Sequence, residues 1–172
     1  MRDRTTDTPS TLERLDLLAL GTRLKRLGER LQADTTEFLR ASGVHIAAGS
    51  LPVMVSISER PGATVSDIVD DLGIAQPGVT RTLGTLADAG LVAFTRDPAD
   101  ARRRTIALTD AGEQLLTRAQ HVAWQPVAEA LRRMVGTEDR ALVTHLAHLE
   151  AALDERSLHV RAVEARRQEA PR

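Results

Sequence analysis

The chain of 172 residues has no cysteine and no tyrosine, and its aromatic residues are only Phe38, Phe94 and Trp124. Without cysteine there are no disulfide frameworks, thiolate zinc sites, iron–sulfur clusters or thiol redox sensors. With so few rings, single-strand binding by base stacking has almost nothing to stack on. No stretch approaches the roughly 20 apolar residues of a membrane span. The opening Met1-Arg2-Asp3-Arg4-Thr5-Thr6-Asp7 lacks the apolar core of a secretory signal, so a cytoplasmic protein with no membrane partner is expected. An excess of base is also missing. Lys and Arg number 23 against 24 Asp and Glu, a net charge of −1, whereas nucleic-acid-binding domains usually carry surplus base. No nucleophile–base pair, Gly-rich phosphate loop or catalytically spaced acid pair is visible, so neither an enzyme nor a cofactor is expected.

What is present is ordinary globular material, 42% apolar and 27% charged, of a length that suits one domain with appendages. Residues 1–10 read as a loose polar arm. A long helix is expected over 11–42, where Leu20, Leu24, Leu27 and Leu31 repeat at the a/d spacing of a helix packing along a seam. A short apolar helix follows over about 50–59. Thr64 with Asp67 three residues on is a capping-box signal for the next helix, which Gly73 closes. A further helix starts at Gln76-Pro77, where proline is tolerated in the first turn, and ends at Gly90. Two short helices joined across Gly73-Ile74-Ala75 make a helix-turn-helix pattern. The period changes over Leu91–Arg96, and Arg104–Thr109 alternates polar and apolar, so the two segments predict a β-hairpin around a long projecting loop. Thr109-Asp110 then caps a long helix that Gly136 breaks. A last helix carries Leu142, Leu146, Leu149 and Leu153 on a second seam, extended by Val160 and Val163. Residues 166–172 read as a frayed tail.

Chemistry concentrates in two places. On the helix from Gln76, Val79, Leu83 and Leu86 form an apolar stripe, while Gln76, Thr80, Arg81, Gly84 and Thr85 form a polar face of small side chains with one cation. A major-groove reader needs such a face, because short side chains allow close approach and an amide or guanidinium can bond base edges. An ordinary amphipathic surface helix divides in the same way, and the helix alone does not choose. The hairpin loop beside it shifts the reading, with four Arg and two Asp in the nine residues from Arg96 to Arg104, although most such charged runs are solvated turns. Arginine on a projecting hairpin suits a narrow minor groove, and an Asp two residues earlier could hold its guanidinium. Next to a helix-turn-helix, such a hairpin reads as a wing. Locally the charge is then basic, with five Arg and three Asp from Gly73 to Arg104.

Three segments resemble the MarR family of winged helix-turn-helix transcriptional regulators. They are Gly73-Ile74-Ala75-Gln76-Pro77-Gly78-Val79-Thr80-Arg81 leading to Leu86-Ala87-Asp88-Ala89-Gly90-Leu91-Val92, then Asp97-Pro98-Ala99-Asp100-Ala101-Arg102-Arg103, then Leu108-Thr109-Asp110-Ala111-Gly112. Their order and spacing, with the flanking helices, carry the resemblance over roughly residues 12–160. It implies a mainly α fold with a small β-hairpin wing (α+β). A winged helix-turn-helix over 50–109 would lie between an N-terminal dimerisation helix over 11–42 and C-terminal ones over 110–165. It implies a homodimer joined through Leu20, Leu24 and Leu27 and through Leu142, Leu146, Leu149 and Leu153. It places Gln76, Pro77, Thr80, Arg81 and Thr85 at the major groove of double-stranded DNA and Arg102 and Arg103 at the wing, with Asp100 supporting Arg102. The function implied is that of a sequence-specific regulator, a repressor on a palindromic operator, released by a small-molecule effector.

Two departures stand out. Ala75 sits where the family usually has a capping Ser, and Gly78 and Gly84 lie inside the recognition helix at a cost of about 1 kcal/mol each relative to Ala. His145 and His148, three apart on one helix, raise a metal-responsive sensor as an alternative, although a lone His pair is more often surface or interface packing, and no metal site is expected. A helical protein-interaction module is the other alternative. Met54 and Met134 read as core fillers. Trp124 reads as a core anchor or, by the resemblance, as the border of an effector crevice.

Overall fold

The computed structural model describes residues 9–96 and 104–169. They form α1 (Thr11–Arg14), α2 (Leu20–Ala41), α3 (Leu51–Glu59), α4 (Val65–Leu72), α5 (Gln76–Asp88), β1 (Val92–Arg96), β2 (Arg104–Leu108), α6 (Asp110–Val135), α7 (Asp139–Glu155) and α8 (Leu158–Glu169). The chain divides into two compact units at Gln125/Pro126, inside α6, where proline removes a helical N–H.

The first unit holds the core. Leu39 of α2, Met54 of α3, Ile68 of α4, Val79, Leu83 and Leu86 of α5, Ile106 of β2 and Ala119 of α6 are all essentially inaccessible to solvent. β1 and β2 pair antiparallel with Val92 opposite Leu108 and Phe94 opposite Ile106, and the Ile106 N–H reaches past the hairpin to the Ala63 carbonyl at 2.8 Å. α3 and α4 are tied by Asp71, whose carboxylate accepts from the Ser56 hydroxyl at 2.6 Å and pairs with Arg60.

The start of the chain differs from the expected continuous helix. Ser10 and Glu13 form a capping box that opens the one-turn helix α1, and the Ser10 N–H and hydroxyl hold the Glu13 carboxyl below its usual range. Asp16 then adopts a left-handed conformation (φ 45°), and a 3-10 turn over Asp16–Ala19 leads into α2. Aspartate is one of the few residues that tolerate this conformation. Leu17 and Leu18 are left 77% and 89% exposed, while Ala19 is buried.

In the second unit, no apolar side chain is buried among the described residues. The last helix is two helices, because Arg156 is extended (φ −158°, ψ 128°) between α7 and α8. The break is stabilised from α8. The Arg161 guanidinium donates to the Ala152 carbonyl at 2.8 Å and pairs with Glu155, and Arg156 pairs with Glu164. Val160 and Val163 therefore lie on α8 and do not extend the seam of α7. α8 continues through Arg166 and Arg167, into the stretch that reads as frayed, and these cations suit the negative end of a helix dipole. Met134 is no core filler, being 74% exposed, whereas Met54 is fully buried.

Candidate nucleic-acid interface

α4 and α5 are set by their ends. The Thr64 hydroxyl accepts from the Asp67 N–H, and the Asp67 carboxylate accepts from the Thr64 N–H at 2.7 Å, closing the expected capping box. Gly73 caps α4 in the left-handed conformation (φ 62°), which glycine adopts without steric cost, so that α5 can begin three residues later. Burial of Val79, Leu83 and Leu86 then fixes the rotation of α5. Gln76, Pro77, Thr80, Arg81, Gly84 and Thr85 are all exposed, on the face away from the core. Arg81 makes no ion pair among the described residues, so its guanidinium stands available. The Thr85 hydroxyl bonds back to the Arg81 carbonyl at 3.2 Å, anchoring that side chain on its own helix.

The departures noted in the sequence have visible consequences. Ala75 occupies the N-cap of α5 with φ −56° and ψ 135°, and no side chain caps the helix. Gly78 is close to the Ile74 side chain, 3.3 Å from where a Cβ would stand. Gly84 faces open space, with nothing of the chain within 4 Å of a Cβ added there.

The hairpin is locked to the end of α5. The Leu91 N–H bonds the Leu86 carbonyl at 2.9 Å, the Thr109 N–H bonds the Leu91 carbonyl at 3.0 Å, and the Thr109 hydroxyl donates to the Gly90 carbonyl at 2.7 Å. That hydroxyl also accepts from the Gly112 N–H at 3.1 Å, so one threonine joins the end of α5 to the start of α6. Gly112 is demanded by close approach, because an added Cβ would lie 2.1 Å from the Leu91 carbonyl oxygen. The motif Leu108-Thr109-Asp110-Ala111-Gly112 is thus a mechanical joint. Asp100, Arg102 and Arg103 lie outside the described residues. At the base of the wing, the Arg104 guanidinium sits over the Phe94 ring, 4.9 Å from its centroid. The strand register sets this contact by placing Arg104 diagonal to Phe94.

Leu24 and Leu27 on α2 and Leu142, Leu149 and Leu153 on α7 are exposed, and Leu20 and Leu146 are half-buried. His145 and His148 are exposed on α7, and among the described residues no three His, Asp or Glu side chains converge as a metal-ligand set. The described residues of the first unit line cavities that include the following two. One, of about 350 Å³, is bordered by Trp124, Leu51, Val55 and Leu72. The other, of about 320 Å³, is bordered by His45, Gln114, Leu115 and Arg118. Trp124 is 48% exposed and so borders a cavity and does not anchor the core.

Residues 43–103 match the model of the MarR family. Among solved structures, the chain is similar to the transcriptional repressor CouR bound to a 23-mer DNA duplex, at 27% identity and a TM-score of 0.69, over 84% of this chain and 99% of that one. CouR bound to p-coumaroyl-CoA matches at 27% identity and a TM-score of 0.68, over 84% and 98%. The fold is also shared with a MarR mutant from E. coli complexed with operator DNA, at 22% identity and a TM-score of 0.65, over 80% and 99%. The PcaV regulator from Streptomyces coelicolor, in complex with its natural ligand, matches at 19% identity and a TM-score of 0.65, over 85% and 98%.

Proposed function

We propose, on the match of residues 43–103 to the MarR family model, that the protein is a non-enzymatic, DNA-binding transcriptional regulator responsive to a small molecule. The observation that carries the reading is the exposed face of α5, where Gln76, Thr80, Arg81 and Thr85 stand together beside the hairpin base. An exposed helix face with short polar side chains and one free guanidinium fits the major groove, and an amide in its first turn has the chemistry to bond a base edge. The similarity to CouR, solved on a DNA duplex and with a coenzyme A thioester, supports both halves of the reading.

In its finer form, the protein is a homodimeric repressor on a palindromic operator. The leucine rows of α2 and α7 support dimerisation, since leucines at seam spacing that keep a third to a half of their surface in water gain up to roughly 1 kcal/mol each when a partner covers the rest. A two-fold dimer reads half-sites whose centres lie about 10 bp apart. Arg102 of the wing enters the minor groove with Asp100 orienting it, and Arg103 is a further DNA contact of the wing.

Gel-shift titration against the DNA upstream of its own coding region tests this. Saturable binding that weakens steeply with salt is expected, because phosphate contacts release counterions. Arg102→Ala should weaken binding at least about tenfold, by analogy with the loss of one good bidentate contact. Binding that ignores salt would point instead to a protein-interaction module.

A further inference from the structure

The cavity of about 350 Å³ between α3, α4 and Trp124 specifies a charge as well as a volume. Leu51, Val55 and Leu72 give it aliphatic walls, Trp124 gives it an aromatic one, and its lining contains two carboxylates, Glu59 and Asp71, but no cation. Asp71 is already committed, accepting from Ser56 and pairing with Arg60. Glu59 is exposed, and its carboxylate has no hydrogen bond or ion pair among the described residues. With Arg60 counted against Asp71, one negative charge remains unbalanced in a lining that also includes an indole ring. An anion entering the cavity would be repelled by Glu59. A cation would be attracted by that carboxylate and by the negative face of the indole, the combination that recognises quaternary ammonium groups.

We propose that this cavity binds a small organic cation carrying an apolar ring, with Glu59 as its counter-charge and Trp124 as its cation–π partner. Its regulatory meaning rests on reading the chain as a ligand-responsive regulator, whereas the binding step does not. The position suits regulation, because Asp71 and Leu72 end α4 and Gly73 turns directly into α5. A ligand held there presses on the helix-turn-helix itself, and its binding should lower affinity for DNA.

Trp124 is the chain's one tryptophan, and of the two cavities described it borders only this one. Its fluorescence can therefore follow titration of the full chain with benzyltrimethylammonium and, separately, with phenylmethanesulfonate, which has the same ring and the opposite charge. A saturable change is expected, with the ammonium bound at least about tenfold more tightly than the sulfonate, a difference typical of one close charge contact plus a ring face. Glu59→Gln should bring the two probes within about threefold of each other without altering the thermal melt, since an exposed side chain adds little to stability. Equal affinities, tighter sulfonate binding or no saturable change with either probe overturns the proposal. Selectivity that survives Glu59→Gln overturns the role of Glu59. Titrating the same preparation with duplex DNA separates the two readings. DNA binding without cation selectivity sinks this inference alone, and cation selectivity without DNA binding sinks the regulator reading alone.

Discussion

Where α5 and the hairpin join α6, Gly112 is required because the Leu91 carbonyl oxygen occupies the space of a side chain, 2.1 Å from an added Cβ. Backbone cannot yield there as a flexible side chain would, so Gly112→Ala should destabilise the fold by at least about 1–3 kcal/mol, the usual cost of overpacking. Thermal denaturation followed by circular dichroism checks this, and an unchanged melt would mean the joint is loose. Ala75 offers the opposite case. Its backbone already has the extended conformation of an N-cap, and only the accepting oxygen is missing. Ala75→Ser should stabilise α5 by about 1 kcal/mol, raising Tm by about 2–4 °C in a chain of this size. A fall in Tm would show that the first turn of α5 is already satisfied otherwise.

At the scale of the element, α5 carries an internal contradiction. Gly84 lowers helix stability by about 1 kcal/mol relative to Ala, yet nothing in the chain requires its small size. Its place on the exposed face, one turn beyond Thr80 and Arg81, gives the missing side chain a use at the DNA. Gly84→Ala should therefore raise the melting temperature and weaken operator binding together. Melting and anisotropy titration of one preparation test this, and tighter binding alongside the higher Tm would show that DNA does not approach there.

The elements themselves were legible to different degrees. Thr64, Asp67 and Gly73 spelled out α4, and the stripe of Val79, Leu83 and Leu86 oriented α5, because caps and period act locally. The breaks at Asp16 and Arg156 were not legible. Leucine spacing continues across the first, and the second is held by Arg161 reaching back nine residues to the Ala152 carbonyl. Nor could spacing reveal that Phe94 would hold Arg104, since that contact exists only once β1 and β2 are in register.

For the whole molecule, the net charge of −1 speaks against indiscriminate binding to DNA, while the segment from Gly73 to Arg104 is locally basic. Affinity must then come from shape and a few well-placed contacts, and the salt slope should correspond to few neutralised phosphates, each contributing about −0.9. The second unit, with no buried apolar side chain among its described residues, leaves Leu142, Leu149 and Leu153 for a partner to cover. Leu149→Glu should shift sedimentation from dimer to monomer and abolish cooperative operator binding, whereas an unchanged sedimentation coefficient would remove α7 from the interface.

The central claim is that α5 and the wing, presented twice by a dimer, read a two-fold-symmetric duplex. Footprinting on the DNA upstream of the protein's own coding region tests it most directly. The account predicts two protected half-sites on one face of the duplex, with centres about 10 bp apart. Protection that Thr80→Ala and Arg81→Ala leave untouched, or no protection at protein concentrations where the dimer is formed, would contradict it.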